Sequence, residues 1–476
     1  MAGSVLRTQP GARVQPVGDV PRPVVSLGNS SLSTSSIKTR TRRRNDSAKG
    51  ELVQFFADLG SLVEDRWKDK NYNEKDFPEI ASQALVEKDA SNHVDPWDII
   101  RWCHTTHEWP KQQDTDGKFG DPPLTLFAGP RFHIDVYFWV DGTTTVHQHG
   151  FSGAFQVLLG SSIHSQYRFE NEQKISAHFS VGEAVLDSVE FLREGDTRQI
   201  LPGRKYIHSL FHLDRPSATI TIRTYGDPGA QPQFDYRKPY FALDPFYRES
   251  TQIKKLQTVN LLLTIKHPEA DSFIDDLVSS ADFHTTYLLL DLARNHLTSD
   301  AMENMFHLST GRERYNRLVE KARTRHGHLV DLIGPVVEEM QRQNNLIQRR
   351  GYLTGSDHRF FLALLLNVPR RTMILDLVHQ RFPSQDPVDT VAAWVEELST
   401  TKLLGSAEPN VLGIDTLDET ALLILRCRLR GLTTEQTKQA VREEYADEPA
   451  DSLDSEVEGV LQSFQESVPL KSLLVD

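Results

Sequence analysis

The sequence predicts an α+β protein in which N-terminal helices flank an antiparallel β-barrel and an all-α C-terminal half follows. Three observations carry this. Apolar residues recur three and four apart before the first tryptophan cluster. Between about Leu124 and Tyr225 the pattern changes to short runs rich in Val, Ile, Phe, Thr and Tyr, separated by Gly, Asp, Asn and Pro. After about Pro245 helical spacing returns and strands largely disappear.

In chain order, residues 1–48 are rich in Ser, Thr, Arg, Gly and Pro with few aromatics, so they cannot bury enough apolar surface to offset ordering entropy and are expected to be disordered. From Glu51 to Trp67, the residues Leu52, Phe55, Phe56, Leu59, Leu62, Val63 and Trp67 make one face of an amphipathic helix. Further helices are expected over Phe77–Val86 and around Trp97–His107, the latter opened by Asp95-Pro96. All three are expected to pack outside the barrel.

Expected strands are Phe132–Val140, Thr144–His149, Ala154–Leu159, Ile163–Phe169, Ala184–Leu186, Val189–Leu192, Arg198–Ile200, Lys205–His208 and Ala218–Thr224. So many short strands suit a closed or sandwich-like antiparallel barrel. Expected C-terminal helices include Ile253–Thr264, Ala270–Ser279 and Phe283–His296, then a long run from Arg312 to Arg350 broken near Gly334-Pro335. His358–Leu366, Arg371–Arg381, Asp389–Leu398, Glu419–Arg428 and Glu435–Tyr445 complete the set, and Thr433 with Gln436 fits a capping box. The expected division is a tail at 1–48, a barrel domain with its helices at 49–248, and a helical domain at 249–476, whose role stays open between a packing domain and one that engages a protein partner.

Composition narrows the function. A chain of 476 residues with 38% hydrophobic content can build two or three cored domains. No apolar run approaches the roughly 20 residues of a membrane span, so no membrane role is expected. The formal net charge of −13 opposes a nucleic-acid role, since phosphate binding needs clustered Lys and Arg; the basic cluster Lys38–Arg44 reads as part of a solvated tail. The N-terminus lacks the apolar core of a secretory signal. The only two cysteines, Cys103 and Cys427, fall in different expected domains, so a reducing, cytoplasmic setting without structural disulfides is expected.

The chemistry-bearing stretch is Arg131 to Gly160, read as a strand, a glycine turn, and a second strand containing His147-Gln148-His149. Residues two apart on a strand point the same way, so both imidazoles project to one face and make half of a metal site. Downstream, Gly195, Pro202 and Gly203 lead to His208, with His212 beyond it. Together these stretches resemble the two motifs of the cupin superfamily, with Gly142 before and Gly160 after the His-x-His, and a Gly…Pro-x-Gly…His run after it. The resemblance spans about residues 120–230. It implies a double-stranded β-helix barrel and a mononuclear metal held by His147, His149 and His208. Whether His208 or His212 is the third ligand stays open. Fe(II) is the first choice, with Mn, Ni, Cu and Zn as other divalent candidates, because imidazole suits several metals.

Many metal cupins place a Glu after a spacer of three or four residues beyond His-x-His, where this chain has Gly153 and Ala154. The chain thus resembles the three-histidine subgroup, the thiol dioxygenases acting on cysteine or 3-mercaptopropionate. That resemblance implies a small, thiol-containing substrate and O2. The family's Ser-His-Tyr triad has no matching motif; its region reads Thr219 to Tyr225, leaving Tyr225 as a possible substitute, and the crosslinking cysteine of some members is replaced by Ala154. His133, Asp135, Tyr137 and Trp139 share one strand face, which the resemblance implies lines the cavity. Tyr137, Tyr225 and His212 are the catalytic candidates. His133, Asp135, Trp139, Gln156 and Arg223 are the substrate-binding candidates, with Arg131 and Arg168 as alternatives for a carboxylate and His164 as a further cavity residue.

Two other functions compete. His133-x-Asp135, His212 and Arg223 resemble the ligand set of 2-oxoglutarate oxygenases, although that reading leaves His147-x-His149 unexplained. A non-catalytic, ligand-binding cupin is the third reading, since fold alone does not establish catalysis.

Overall fold

The computed structural model describes residues 45–115, 120–140, 145–230, 232–298, 310–403, 406 and 408–476, without the side chains of 45–49 and 228. The basic cluster Lys38–Arg44 and Gly142 lie outside these residues, as does nearly all of the 1–48 tail. Its last four residues begin a helix, α1 (Asn45–Asp69). Then come α2 (Phe77–Lys88), α3 (Ala90–His93) and α4 (Pro96–Thr105), the last opened by Asp95, whose side chain accepts from the Trp97 N–H with Pro96 at the first helical position.

Eleven strands are described. One sheet runs in the order β1-β2-β9-β4-β7, made of β1 (Pro123–Ala128), β2 (Phe132–Trp139), β9 (Ser217–Thr224), β4 (Gly153–Leu159) and β7 (Thr197–Ile200). The other strands close on themselves in the order β10-β11-β6-β5-β8-β3. They are β10 (Asp235–Arg237), β11 (Phe241–Leu243), β6 (Phe179–Leu192), β5 (Ser162–Lys174), β8 (Ile207–His212) and β3 (Val146–Gln148). All named pairings are antiparallel. The predicted α+β class, with a closed antiparallel barrel between helices, is the observed one.

The alternation of each strand is divided between two environments. On the first sheet, Phe132, Ile134, Val136, Phe138, Ala154, Leu158, Ala218, Ile220 and Ile222 share one apolar core with Leu59, Val63, Phe77 and Leu85 of the N-terminal helices. Their neighbours, among them His133, Asp135, Tyr137, Phe155, Thr221 and Arg223, therefore face the opposite way, into the barrel. The closed sheet is covered on its outer side as well. Ile163, Phe211 and Leu213 pack with Phe360, Phe361 and Trp394 of the later helices, and Phe179, Val181, Phe241 and Leu243 pack with Ile274, Phe283 and Tyr287. Helices thus flank both sheets, and the polar residues of the barrel are held in between.

Several boundaries differ from the expectation for identifiable reasons. Ala184–Leu186 and Val189–Leu192 are one continuous strand, β6, paired with β5 across a bulge at Gln166/Tyr167. Lys205–His208 divides into a short 3-10 turn, Gly203–Lys205, and β8. The long C-terminal helix breaks not at Gly334-Pro335 but over Gly327–Leu332, where Gly327 adopts φ +59°. Pro335 falls in the first turn of Ile333–Tyr352, where its missing N–H would have no helical partner anyway. Short strands β10 and β11, which complete the closed barrel, lie beyond the predicted strand region. The capping box of Thr433 and Gln436 is present in full. Among the described residues, no helix is long and apolar enough to cross a membrane.

Candidate metal centre

β3 and β8 pair so that His147 stands directly across from His208. Cross-strand partners share a face, so the two rings lie side by side, 4.7 Å between centroids. His149, one residue past β3, projects to the same side, its ring 4.7 Å from that of His147 and 4.9 Å from that of His208. Its backbone is fixed by a bridge to Pro202 and by the Gly203 N–H donating to its carbonyl at 2.8 Å. One ligand atom from each of the three histidines lies within 4.8 Å of the others, the only metal-capable cluster of His, Cys, Asp and Glu among the described residues.

The donor set fits a divalent transition metal. The His149 and His208 Nε2 atoms are 2.8 Å apart. Two imidazoles bonded to one ion at about 2.0–2.1 Å stand about 3 Å apart when the N–metal–N angle is near 90°. Two rings are oriented through their other nitrogen: His147 Nδ1 donates to the Thr145 carbonyl at 2.9 Å, and His208 Nδ1 lies 3.1 Å from His164 Nε2. Burial holds the pKa of all three below the ordinary histidine value, most strongly at His149 and His208, where neighbouring imidazoles add to it. Neutral rings are what a metal requires.

The place of the usual carboxylate ligand is structurally closed. A Cβ on Gly153 would meet the Ile222 carbonyl oxygen at 2.1 Å, because β4 and β9 approach closely there, and Ala154 faces the helices. No side chain can reach the three imidazoles from either position.

The inward face of β2 carries a second polar group. Asp135 accepts from Thr125 Oγ1 and from the Tyr137 hydroxyl, both at 2.8 Å, and sits 3.0 Å from His133 Nδ1, a contact too poorly aligned to count as a hydrogen bond. Burial would raise its pKa, but His133, Arg223 and Thr125 outweigh that and keep it below the ordinary range. Arg223 Nε donates to His133 Nε2 at 3.2 Å, and its guanidinium lies 4.1 Å from the centre of the Phe151 ring, which is itself 4.6 Å from the His149 ring. Arg223 thus bridges the carboxylate group and the histidine cluster. Of the other arginine candidates, Arg131 stacks on Tyr72, and Arg168 pairs with Asp187 and Glu170 on the exterior.

His208 is therefore the histidine that joins the pair. His212 is held elsewhere, its Nδ1 3.1 Å from Ser162 Oγ and its ring stacked on Trp139 at 4.5 Å, and burial pushes its pKa down to about 3. Gln156 points out of the barrel, bonding Thr197 Oγ1 and the Gly195 carbonyl. Tyr225 is exposed, and its hydroxyl donates to the Gly129 carbonyl at 2.7 Å, away from the three imidazoles. His133, Asp135 and His212 do not form a metal-capable group, and the Asp135 oxygens are already engaged, which weighs against the 2-oxoglutarate arrangement. Sequence reasoning missed Glu190, Arg198 and Tyr206, which surround His164; only His164 carried a signal, its position on a strand of the barrel.

No family model matches the chain, and no curated protein matches it. Solved structures that match include hydroquinone 1,2-dioxygenase from Sphingomonas sp. TTNP3, at 13% identity and a TM-score of 0.18, covering 22% of this chain and 67% of that one. A structure of DMSP lyases matches at 14% identity and a TM-score of 0.22, covering 39% of this chain and 96% of that one. A cupin-2 domain from Rhodospirillum rubrum matches at 14% identity and a TM-score of 0.17, covering 36% and 93%. The assignment rests on the strand pairing and the histidine cluster of this chain itself. The closed antiparallel barrel and the placement of the three histidines agree with what the cupin resemblance implies. The chemistry of this chain has to be argued from its own residues.

Proposed function

We propose that this cupin is a metal-dependent oxidoreductase in which His147, His149 and His208 hold Fe(II) and O2 oxidises a small anionic substrate, a thiol being the class the sequence resemblance implies. One observation supports this above the others: three neutral imidazoles converge with no carboxylate able to join them. A divalent ion held so keeps its full charge, supplies redox electrons, and has positions left for exogenous ligands. Oxidising a thiolate to a sulfinate takes up both atoms of O2, with sulfur losing the four electrons that O2 gains, so no further cosubstrate is needed.

The residues around the cluster supply recognition and shielding. Arg223, steered by His133 and backed by Phe151, presents a cation beside His149 that suits a substrate carboxylate. Tyr137 keeps its phenol protonated because burial raises its pKa, donates that one proton to Asp135, and accepts from Arg223, so it holds the guanidinium in place. Phe155, Val157 and Leu210 form an apolar wall that limits water near the imidazoles. The helical segment after residue 249 is proposed to be a separate unit that engages a protein partner, and the setting to be cytoplasmic.

The test is metal analysis by mass spectrometry on protein purified anaerobically with iron, followed by oxygen uptake with a panel of small thiols and their hydroxyl analogues. About one equivalent of iron and thiol-dependent uptake are expected. Less than about a tenth of an equivalent of any transition metal after loading would leave a ligand-binding barrel instead.

A further inference from the structure

A chain of side chains runs from β7, the edge strand of the five-stranded sheet, to the back of the His208 imidazole. Arg198 on β7 grips Glu190 on β6 through Nε and Nη2, at 2.8 and 2.5 Å. Glu190 Oε1 lies 2.7 Å from Nδ1 of His164, its direct cross-strand partner on β5. His164 Nε2 in turn lies 3.1 Å from His208 Nδ1 and 2.9 Å from the Tyr206 hydroxyl. Tyr206 and His208 are two apart, so both reach His164 from the same side. Glu190 and Arg198 are about one-third exposed, whereas His164 and His208 are buried.

The direction of the hydrogen bonds follows from the carboxylate. A carboxylate only accepts, so His164 must carry its proton on Nδ1 and offer a lone pair at Nε2. An unprotonated His208 Nδ1 would set two nitrogen lone pairs against each other at 3.1 Å, so His208 carries its proton there and shares the His164 acceptor with the Tyr206 hydroxyl, which leaves the Nε2 lone pair facing His149 Nε2 at 2.8 Å. We infer that His164, held by Glu190 and Arg198, is a positioning residue that sets the ligand tautomer of His208. This rests on the three-histidine reading of the site. It extends that reading to residues that touch neither metal nor substrate and whose effect passes through the tautomers of two rings, His164 and His208.

Glu190→Gln tests the direction without removing bulk. Arg198 claims the amide oxygen, so the amide NH2 turns to His164 Nδ1 and donates. His164 then holds its proton on Nε2, and His208 is left protonated on the nitrogen that should bind metal. Nitrogen NMR of the metal-free, histidine-labelled chain should show His208 protonated at Nδ1 in the wild type and at Nε2 in Glu190→Gln. Titration with Co(II) alone should show affinity falling about tenfold in Glu190→Gln and as much as 100-fold in His164→Phe, in the range found for outer-sphere partners. Circular dichroism should be unchanged. Co(II) affinity within twofold of wild type in both variants, or the same His208 tautomer with and without Glu190, would overturn the inference. Should the wild type bind no Co(II), the metal reading fails, and the NMR comparison still decides whether Glu190 sets the His208 tautomer. If His164→Phe does not fold, Glu190→Gln carries the test, because it alters only a partly exposed group.

Discussion

Two polar walls, joined through Arg223 and Phe151, lie inside the barrel wholly or partly buried, and they solve the cost of burial differently. On β2 and β9, Asp135, Thr125, Tyr137, His133 and Arg223 bond mainly to one another: a carboxylate accepts from two hydroxyls and is offset by the nearby Arg223 guanidinium. On β3 and β8, the imidazoles of His147, His149 and His208 have each other as their nearest inward neighbours. A group closed upon itself is a structural device with one free edge, Arg223. A group whose lone pairs converge is incomplete as protein alone, and burying it is costly unless something else occupies the point of convergence.

Breaking each wall should therefore give different losses. The largest effect is expected from His149→Ala or His208→Ala, where bound metal should fall from about one equivalent to below about a tenth by mass spectrometry while the metal-free chain keeps its circular dichroism spectrum. Asp135→Asn should do the reverse. It leaves donors facing an amide that can accept at only one atom, and losing a buried, charge-assisted network of this kind costs about 1–3 kcal/mol, measured by urea unfolding, with metal content retained. Metal loss in Asp135→Asn with retention in His208→Ala would invert the assignment of the two walls.

These walls were unequally visible in the sequence. The His147/His149 pair follows from the two-residue period of a strand, and its third member from a motif resemblance, so the imidazole wall was legible almost whole. The His133, Asp135, Tyr137 face followed from the same period, although which face is inward depends on the helices that cover the other one. Where that reasoning failed, the cause is specific. The strand Gly153–Leu159 carries apolar residues on both faces and one polar residue, Gln156, so its alternation does not show that Phe155 rather than Gln156 looks inward. Tyr225 lies one residue beyond β9, where alternation no longer governs direction. Glu190 reaches His164 through β5–β6 register, a relation between distant residues that local pattern cannot express. Strands of three residues, such as β10 and β11, are too short to carry a period.

The free edge of the polar wall offers a sharper comparison. Arg223→Met keeps the length and the contact with Phe151 but removes the charge, so metal content should stay near wild type. For an anionic thiol, KM should rise about 10- to 100-fold, as expected when one charge-assisted pair of about 1.5–3 kcal/mol is lost. The same thiol with its carboxylate esterified should discriminate little between wild type and variant. Equal KM shifts for both would mean that Arg223 shapes the wall without meeting substrate charge.

The smallest effect separates the support of the imidazole wall from the wall itself. Arg198 and His164 outweigh the burial of Glu190 and lower its pKa from 4.5 to about 2. A carboxyl group whose folded pKa lies below its unfolded one contributes stability that is complete above the unfolded value and vanishes as pH falls through the folded one. Wild type should therefore exceed Glu190→Gln in metal-free stability by a constant margin above about pH 5, a margin that shrinks through pH 4 and 3 and is gone near pH 2. Because Glu190 is partly open to solvent, that margin should be small, and salt should reduce it further. Urea midpoints of the two proteins at pH 7, 4 and 3 measure it. A margin that does not narrow on acidification would mean that the Arg198–Glu190–His164 contacts stabilise by packing rather than by charge.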